Sequence, residues 1–228
     1  MSQAANRLLV LLSGRGSNFD ALAQACDAWL PAKIVGVISD RSEAGGLALA
    51  EARGLDTVLV DRKQHATRAE FEASLQAAID SFDADLIVLA GFMRVLSADL
   101  VNRYPGRMIN IHPSLLPRYR GLDTHRRALE AGDREHGASV HFVTAELDGG
   151  PIISRARMPI HPDDSAESLA ERLLAIEHRL LPASVALLTQ IPVEARYEAF
   201  STHSSTPDDR ALELGHHFDD RGSRLQFD

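Results

Sequence analysis

The alternation of short apolar runs with helix-like segments is the feature that most constrains the fold of this chain. Several of the runs are nearly continuously apolar, which is typical of strands buried on both faces of a parallel sheet. Six such runs occur at residues 7–13, 33–39, 56–60, 85–91, 107–112 and 138–144. Segments with helical spacing lie between them, at residues 17–30, 43–54, 67–82 and 123–132. The pattern predicts an α/β fold with a doubly wound, mostly parallel twisted sheet and helices on both faces.

The last third of the chain departs from this alternation. Residues 151–160 predict a strand that pairs with the preceding one, and a long helix is expected near residues 164–181. From residue 201 onward the sequence is polar with few apolar positions. We therefore expect one domain over residues 1–200, followed by a polar tail over residues 201–228 that is disordered or loosely attached.

Composition and charge narrow the class of protein. Of the 228 residues, 45% are hydrophobic and 25% are charged, and the formal net charge is −8. This negative charge argues against binding to nucleic acid or to an anionic membrane surface. No apolar run reaches the roughly 20 residues of a membrane span. The single Cys26 excludes an intrachain disulfide and a cysteine metal cluster, so we expect a protein of the reducing cytoplasm.

The stretch MINIHPSLLPRYRG, residues 108–121, places two polar residues on one strand. Asn110 and His112 are two residues apart, so their side chains project from the same face, opposite the intervening isoleucines. Pro113 has no N–H group for a sheet and should end the strand at His112. Buried polar side chains need partners, and open α/β sheets bind ligands beyond the carboxyl ends of their strands. The pair is therefore predicted to line a ligand cavity.

The first predicted strand runs into a helix through the glycine-containing stretch LLSGRGSNFDAL. Gly14 and Gly16 permit a tight turn, and Ser17 and Asn18 are suited to cap the helix, whose free N–H groups would then meet a phosphate. The spacing matches neither the dinucleotide fingerprint nor the Walker motif. An ordinary strand-to-helix turn therefore stays open as an alternative.

A third polar position lies in the stretch TAELDGGPIIS, where Asp148 precedes two glycines. An Asp-Gly turn explains this pattern equally well. Placed near His112, however, the carboxylate would stabilise the charged imidazolium. With Asn110 these residues form a trio that lacks the nucleophile of a hydrolytic triad, and the chain has neither a G-x-S-x-G elbow nor zinc-protease spacing. The trio favours direct attack by a substrate nucleophile on a carbonyl, with Asn110 and His112 stabilising the oxyanion.

Five stretches together carry a family resemblance: SGRGSN, LAGFMRVLS, NIHPSLLPRYRG, HGASVHFVTAELDGGPII and IEHRLLP. In this order they resemble the phosphoribosylglycinamide formyltransferases (glycinamide ribonucleotide transformylases), members of the folate-dependent formyltransferase superfamily, over about residues 6–195. The resemblance implies that residues 1–200 form a formyltransferase catalytic domain. It would transfer the formyl group of 10-formyltetrahydrofolate to the amine of glycinamide ribonucleotide in purine biosynthesis, without a metal, as a monomer or homodimer.

The resemblance also implies roles for individual residues. The catalytic positions are Asn110, His112 and Asp148. The positions that hold the ribonucleotide are Gly16, Ser17, Asn18 and Glu177. The positions that contact the folate are Arg68, Met93, Arg94, Val95, Leu96, Asn110, Thr144, Ala145, Glu146, Leu147 and Asp148. His125 and His141 are candidate supporting groups, and Asp123 stands where the family often has a histidine.

Three other functions compete with this interpretation. A formyltetrahydrofolate deformylase would use water at the same trio, but such enzymes usually carry an extra amino-terminal domain, and the first predicted strand here begins near residue 7. A methionyl-tRNA formyltransferase is normally longer, with an RNA-binding domain that an acidic chain fits badly. A non-catalytic folate or nucleotide binding module would not require the trio.

Overall fold

The computed structural model describes residues 6–201 and 212–213, which form one sheet flanked by helices. The strands are β1 (Asn6–Leu12), β2 (Ala32–Ser39), β3 (Thr57–Leu59), β4 (Leu86–Leu89), β5 (Met108–His112), β6 (Glu135–Phe142), β7 (Ile152–Pro159) and β8 (Leu212–Glu213). The helices are α1 (Ser17–Ala28), α2 (Gly45–Ala52), α3 (Arg68–Asp80), α4 (Ala98–Val101), α5 (Thr124–Glu130), α6 (Ala166–Thr189) and α7 (Val193–Ser201). A single 3₁₀ turn lies at Arg62–Gln64.

The sheet confirms the predicted fold class. Its strand order is β3-β2-β1-β4-β5-β6-β7-β8. Strands β1 to β5 pair in parallel, while β6 runs antiparallel to both of its neighbours and β8 pairs in parallel with β7. The chain moves outward from β1 in one direction and then, from β4, in the other. This reversal opens a crevice at the carboxyl ends of β1, β4 and β5, where such sheets bind ligands.

Both faces of the central strands are buried, as the continuous apolar runs predict. Along β1, Leu8, Val10 and Leu12 pack into one apolar layer and Leu9 and Leu11 into the other. The first layer includes the apolar faces of α1 and α6, and the second includes that of α3. The site at the strand ends is thus built on a rigid double-sided core.

Several element boundaries differ from the sequence-based expectations. The helix expected to end near residue 181 continues through Pro182 to Thr189. Val185 and Leu188, beyond the proline, are fully buried, and this packing offsets the roughly 3 kcal/mol that an interior proline costs a helix. Strand β6 begins three residues before the predicted residue 138, because residues 135–137 also pair with β7.

The carboxyl-terminal region shows two further features. Helix α7 was not predicted from the sequence. Its Arg196 is buried and donates hydrogen bonds to the carbonyl oxygens of Leu188, in the last turn of α6, and of Ile191, just after that helix. The tail predicted over residues 201–228 lies outside the described residues, apart from Ser201 and the short strand β8.

Candidate active site

The strand predicted around residues 107–112 is β5, and it ends at His112 immediately before Pro113. Ile109 and Ile111 pack into the apolar core, so Asn110 and His112 project from the opposite face. In the antiparallel pairing with β6, Asn110 lies opposite His141. The predicted face of the strand is confirmed, and it lies at the crevice at the carboxyl ends of β1, β4 and β5.

The imidazole of His112 is buried and held through both ring nitrogens. Its Nε2 lies 3.0 Å from the carbonyl oxygen of Tyr119, and its Nδ1 lies 3.5 Å from Oδ2 of Asp148. A carbonyl oxygen and a carboxylate both accept hydrogen bonds, so both ring nitrogens are placed to donate.

The backbone that holds His112 is itself fixed by side-chain contacts. Tyr119 adopts a positive φ of 55°, and its hydroxyl donates to Oδ2 of Asp133 at 2.7 Å. The guanidinium groups of Arg118 and Arg127 lie over its ring, with centroid distances of 5.2 and 5.3 Å. Sequence reasoning missed Tyr119, because a backbone carbonyl that binds a histidine leaves no signal in the residue type.

Asp148 reaches His112 from the loop between β6 and β7. Its φ is +48°, in the left-handed region that aspartate tolerates better than most residues. The backbone N–H of Gly121 donates to its Oδ2 at 2.8 Å, and its Oδ1 lies 3.6 Å from Nε2 of His141. The structure therefore brings the three residues of the predicted trio to one place.

His141, one of the two supporting groups suggested by the sequence, contacts the trio directly. Its Nδ1 lies 2.9 Å from the carbonyl oxygen of Phe142 and donates to it, and burial lowers the pKa of His141, which favours the neutral ring. In this form its Nε2 accepts a hydrogen bond. The Nδ2 group of Asn110 donates to it across 3.2 Å, which fixes the orientation of the Asn110 amide.

His125, the second suggested supporting group, does not contact the trio. Its Nδ1 lies 3.0 Å from Nε2 of His136 on β6, and the two rings meet edge to face. Burial lowers the pKa of both residues, that of His136 to about 4. The positive charge of His112 acts on both residues in the same direction, so the two histidines form a mostly uncharged pair near neutral pH.

A cavity of about 70 Å³ opens beside Asn110 and His141. Seven of the residues that the resemblance assigns to the folate line it: Arg94, Val95, Leu96, Asn110, Thr144, Ala145 and Leu147. Three apolar residues of the wall were not predicted as site residues: Leu89, Phe92 and Val143. The side chains of Val95 and Leu147 remain 59% and 48% exposed, so the cavity continues onto an apolar surface that a flat heterocycle can cover.

The remaining members of the assigned folate set lie around this cavity. Arg68 donates from Nη2 to the carbonyl oxygen of Val95 at 2.8 Å, so it braces the cavity wall. Glu146 forms an ion pair with Arg120, which joins the Asp148 loop to the segment after β5. The side chain of Met93 is exposed next to the cavity.

The turn after β1 differs in one respect from the sequence-based expectation. Gly16, with a φ of +83°, is the N-cap of α1, and no side chain of the described residues caps this helix. The expected capping by Ser17 or Asn18 is therefore wrong, because the Nδ2 of Asn18 donates instead to Oε2 of Glu177 at 2.7 Å. The uncapped N–H groups of the first helical turn are left for an anion.

Glu177 joins this turn from the middle of α6. Its side chain is buried, and this burial raises the pKa of its carboxyl group above the ordinary value of 4.5, while the hydrogen bond from Asn18 acts in the opposite direction. The Oδ1 atom of Asn18 is also buried and has no hydrogen-bond partner among the described residues. All four residues assigned to the ribonucleotide thus meet at the helix N-terminus.

Replacing Glu177 by glutamine is expected to raise the free energy of unfolding of the protein at about pH 8. The pKa of Glu177 is raised in the folded state. Between the ordinary value of 4.5 and this raised pKa, the folded chain holds a proton that the unfolded chain releases, so the free energy of unfolding falls as the pH rises through that window. The gain should shrink towards about pH 3.5, where the carboxyl group is largely protonated in both states. Urea unfolding at both pH values measures it, with the exposed Glu171→Gln on the same helix as control. A difference in stability between Glu177→Gln and wild type that does not change with pH would contradict the raised pKa of Glu177.

Other features of the described residues give less support for a second cavity site, a metal site or a cysteine nucleophile. A larger cavity of about 890 Å³ lies between α1 and α6, but none of the trio lines it. Within residues 6–201 and 212–213, no group of three or more His, Cys, Asp or Glu side chains is placed to hold a metal ion. Cys26 lies in α1, and burial raises the pKa of its thiol to about 11, which makes it a poor nucleophile. None of the described helices is both long and apolar enough to cross a membrane.

Comparison with known proteins agrees with this site. The family described as formyl transferase matches residues 6–185. The phosphoribosylglycinamide formyltransferase of Escherichia coli (strain K12) is 45% identical over 176 residues, which cover 77% of this chain and 83% of the relative. The chain belongs to the formyl transferase family, within its group of phosphoribosylglycinamide formyltransferases.

Two further relatives extend the comparison. The crystal structure of phosphoribosylglycinamide formyltransferase from Brucella melitensis is 47% identical with a TM-score of 0.78, covering 82% of this chain and 97% of that one. The trifunctional purine biosynthetic protein adenosine-3 of Drosophila melanogaster is 44% identical over 82% of this chain, which spans 14% of that longer protein. The same fold therefore occurs both as a separate chain and as one part of a multifunctional chain.

Proposed function

We propose that the protein transfers the formyl group of 10-formyltetrahydrofolate to the amine of glycinamide ribonucleotide, giving formylglycinamide ribonucleotide and tetrahydrofolate. The observation that carries this proposal is the arrangement of the trio at the end of β5: His112 faces Asp148, and Asn110, which lines the cavity, is linked to Asp148 through His141. Family membership supports the reaction class, and the names of the relatives support the acceptor and the role in purine biosynthesis.

Asn110 supplies a hydrogen-bond donor to the reacting carbonyl. An amide nitrogen carries two hydrogens, and His141 accepts only one of those on Nδ2. Since Asn110 lines the cavity, its second N–H is available to an oxygen bound there. When the amine attacks the formyl carbon, this oxygen gains negative charge, and a fixed donor stabilises the charge more than it stabilises the starting carbonyl.

His112 contributes the positive charge next to that donor. Asp148 faces its Nδ1 and balances the imidazolium, so the charge is retained in a buried place. Its Nε2 hydrogen is donated to Tyr119, so direct proton transfer from His112 requires that this hydrogen bond be exchanged for one to the substrate. The attacking amine loses a proton and the folate nitrogen gains one as its bond to the formyl carbon breaks. His112 or an ordered water carries that proton.

The ribonucleotide is held at the other side of the crevice. Its phosphate accepts hydrogen bonds from the N–H groups at the start of α1, beside Gly16 and Ser17. Glu177 and the Oδ1 atom of Asn18 are buried acceptors suited to hydroxyl groups of the ribose. Much of the rate should come from holding the two substrates together, because the protein offers no covalent intermediate.

The same proposal covers the remaining properties of the protein. The folate cosubstrate binds along the cavity lined by Arg94 to Leu96 and by the loop at residues 144–148, and no metal takes part. The partners are small molecules rather than nucleic acid or membrane, and the protein works in the cytoplasm as a monomer or homodimer. The catalytic domain spans residues 1–200 and the tail spans residues 201–228.

A folate-absorbance assay tests the acceptor. The purified protein is mixed with 10-formyltetrahydrofolate, with and without glycinamide ribonucleotide, and the deformylated folate is followed spectroscopically. We expect release of the deformylated folate only when the ribonucleotide is present. Equal release without it would instead identify a deformylase, in which water replaces the amine, and the absence of release in both cases would leave a non-catalytic binding module.

A further inference from the structure

Asp40 is a buried carboxylate that neither the trio nor the ribonucleotide site uses. It follows β2 directly, and its side chain is fully buried. Its Oδ2 accepts a hydrogen bond from Nε of Arg94 at 2.5 Å. Arg94 belongs to the segment at residues 92–96, which walls the cavity beside Asn110. The ion pair therefore connects the end of β2 with the site at the end of β5.

The sheet topology explains why this contact spans several elements. Strands β2 and β4 lie on either side of β1, so Asp40 and the segment after β4 meet across the carboxyl end of β1. The same segment has two other polar anchors: the N–H of Met93 donates to Oγ of Ser13, and Arg68 donates to the carbonyl oxygen of Val95, both at 2.8 Å. These two contacts fix the backbone of the segment, whereas Asp40 fixes the side chain of Arg94.

The geometry of the Asp40–Arg94 pair indicates that it orients the Arg94 side chain more than it stabilises the fold. Only Nε of Arg94 donates to Asp40, and within the described ranges neither of its Nη groups donates a hydrogen bond to protein. The Oδ1 atom of Asp40 is buried and has no hydrogen-bond partner in the described part of the chain. A buried ion pair with an unsatisfied oxygen adds little to the free energy of folding. It does restrict a long side chain that would otherwise sample many rotamers.

We propose that Asp40 is a positioning residue for formyl transfer: it fixes Arg94 and thereby the wall of the folate cavity at residues 92–96. This inference rests on the proposed function. Asp40 touches neither substrate and acts through Arg94, whose Nη groups stay available to the folate. Loss of the Asp40 charge is therefore expected to weaken folate binding selectively and to leave the ribonucleotide site, which lies at α1 and α6, unchanged.

The test compares Asp40→Asn with the exposed Asp99→Asn as a matched control. Loss of a charge-assisted hydrogen bond predicts an increase in KM for 10-formyltetrahydrofolate of about tenfold in Asp40→Asn. The KM for the ribonucleotide and kcat should stay within about twofold. Adding Asp40→Asn to Arg94→Gln should raise the folate KM no further, because both changes remove the same contact. Equal changes in both KM values, or none in either, would overturn the proposal.

Calorimetric titration with tetrahydrofolate separates this inference from the proposed function. If the wild type binds tetrahydrofolate but transfers no formyl group to the ribonucleotide, the proposed function fails, and the affinities of wild type and Asp40→Asn still test the positioning role. Unchanged affinity would overturn that role even if transfer occurs. Should Asp40→Asn not fold, Asp40→Ser, which removes the charge and part of the volume, replaces it in the same comparisons.

Discussion

Replacing His112 by alanine is expected to lower kcat by about 10²- to 10⁴-fold. The substitution removes the cation next to the oxyanion, and no metal-binding cluster among the described residues could replace it. KM should change less, since most residues proposed to hold the phosphate and the folate lie on elements other than β5. Steady-state kinetics with both substrates measure the effect. The exposed His161→Ala is the control and should behave like wild type.

A second His112 variant separates charge from hydrogen bonding. His112→Gln places an amide donor where Nε2 donates to Tyr119, so the local backbone contact is retained while the positive charge is lost. We expect this variant to unfold at the wild-type temperature yet stay impaired in kcat nearly as strongly as His112→Ala. Turnover of either variant at the wild-type rate would show that His112 is a structural residue only.

Replacing Asp148 by asparagine is expected to lower kcat by about 10²- to 10³-fold without unfolding the protein. Asparagine tolerates the positive φ at this position and can still accept the hydrogen bond from the Gly121 N–H. It cannot balance a charge, so the imidazolium of His112 is no longer favoured.

Steady-state kinetics with both substrates measure the effect of Asp148→Asn. The exposed Asp163→Asn serves as the control for loss of a surface charge and should keep the wild-type kcat. An Asp148→Asn enzyme with wild-type kcat would contradict the assigned role.

The parts of the site that the sequence predicts depend on local rules. The two-residue period of a strand puts Asn110 and His112 on one face, and Pro113 ends the strand, so both the face and the strand end could be predicted. The crevice follows from the alternation of strands and helices. The stretch around Asp148 indicated either a plain Asp-Gly turn or a partner of His112, and the family resemblance favoured the second.

Other features could not be predicted, because they depend on contacts between distant elements. Tyr119 holds His112 through a backbone carbonyl, which any residue type possesses. The pairing of Asp40 with Arg94 depends on strand order, which no local segment specifies. Asn18 is suited to cap its own helix, yet tertiary packing gives it Glu177 instead. In the same way, burial beyond Pro182 overrides its local tendency to end α6.

The most direct test of the proposed chemistry follows the formyl carbon itself. The protein is incubated with 10-formyltetrahydrofolate labelled with ¹³C in the formyl group and with glycinamide ribonucleotide, and the products are examined by NMR. We expect the label in the formamide of formylglycinamide ribonucleotide, formed by wild type at a rate at least about 10²-fold above that of His112→Ala. Label recovered only as formate, or retained on the folate, would contradict direct transfer to the amine.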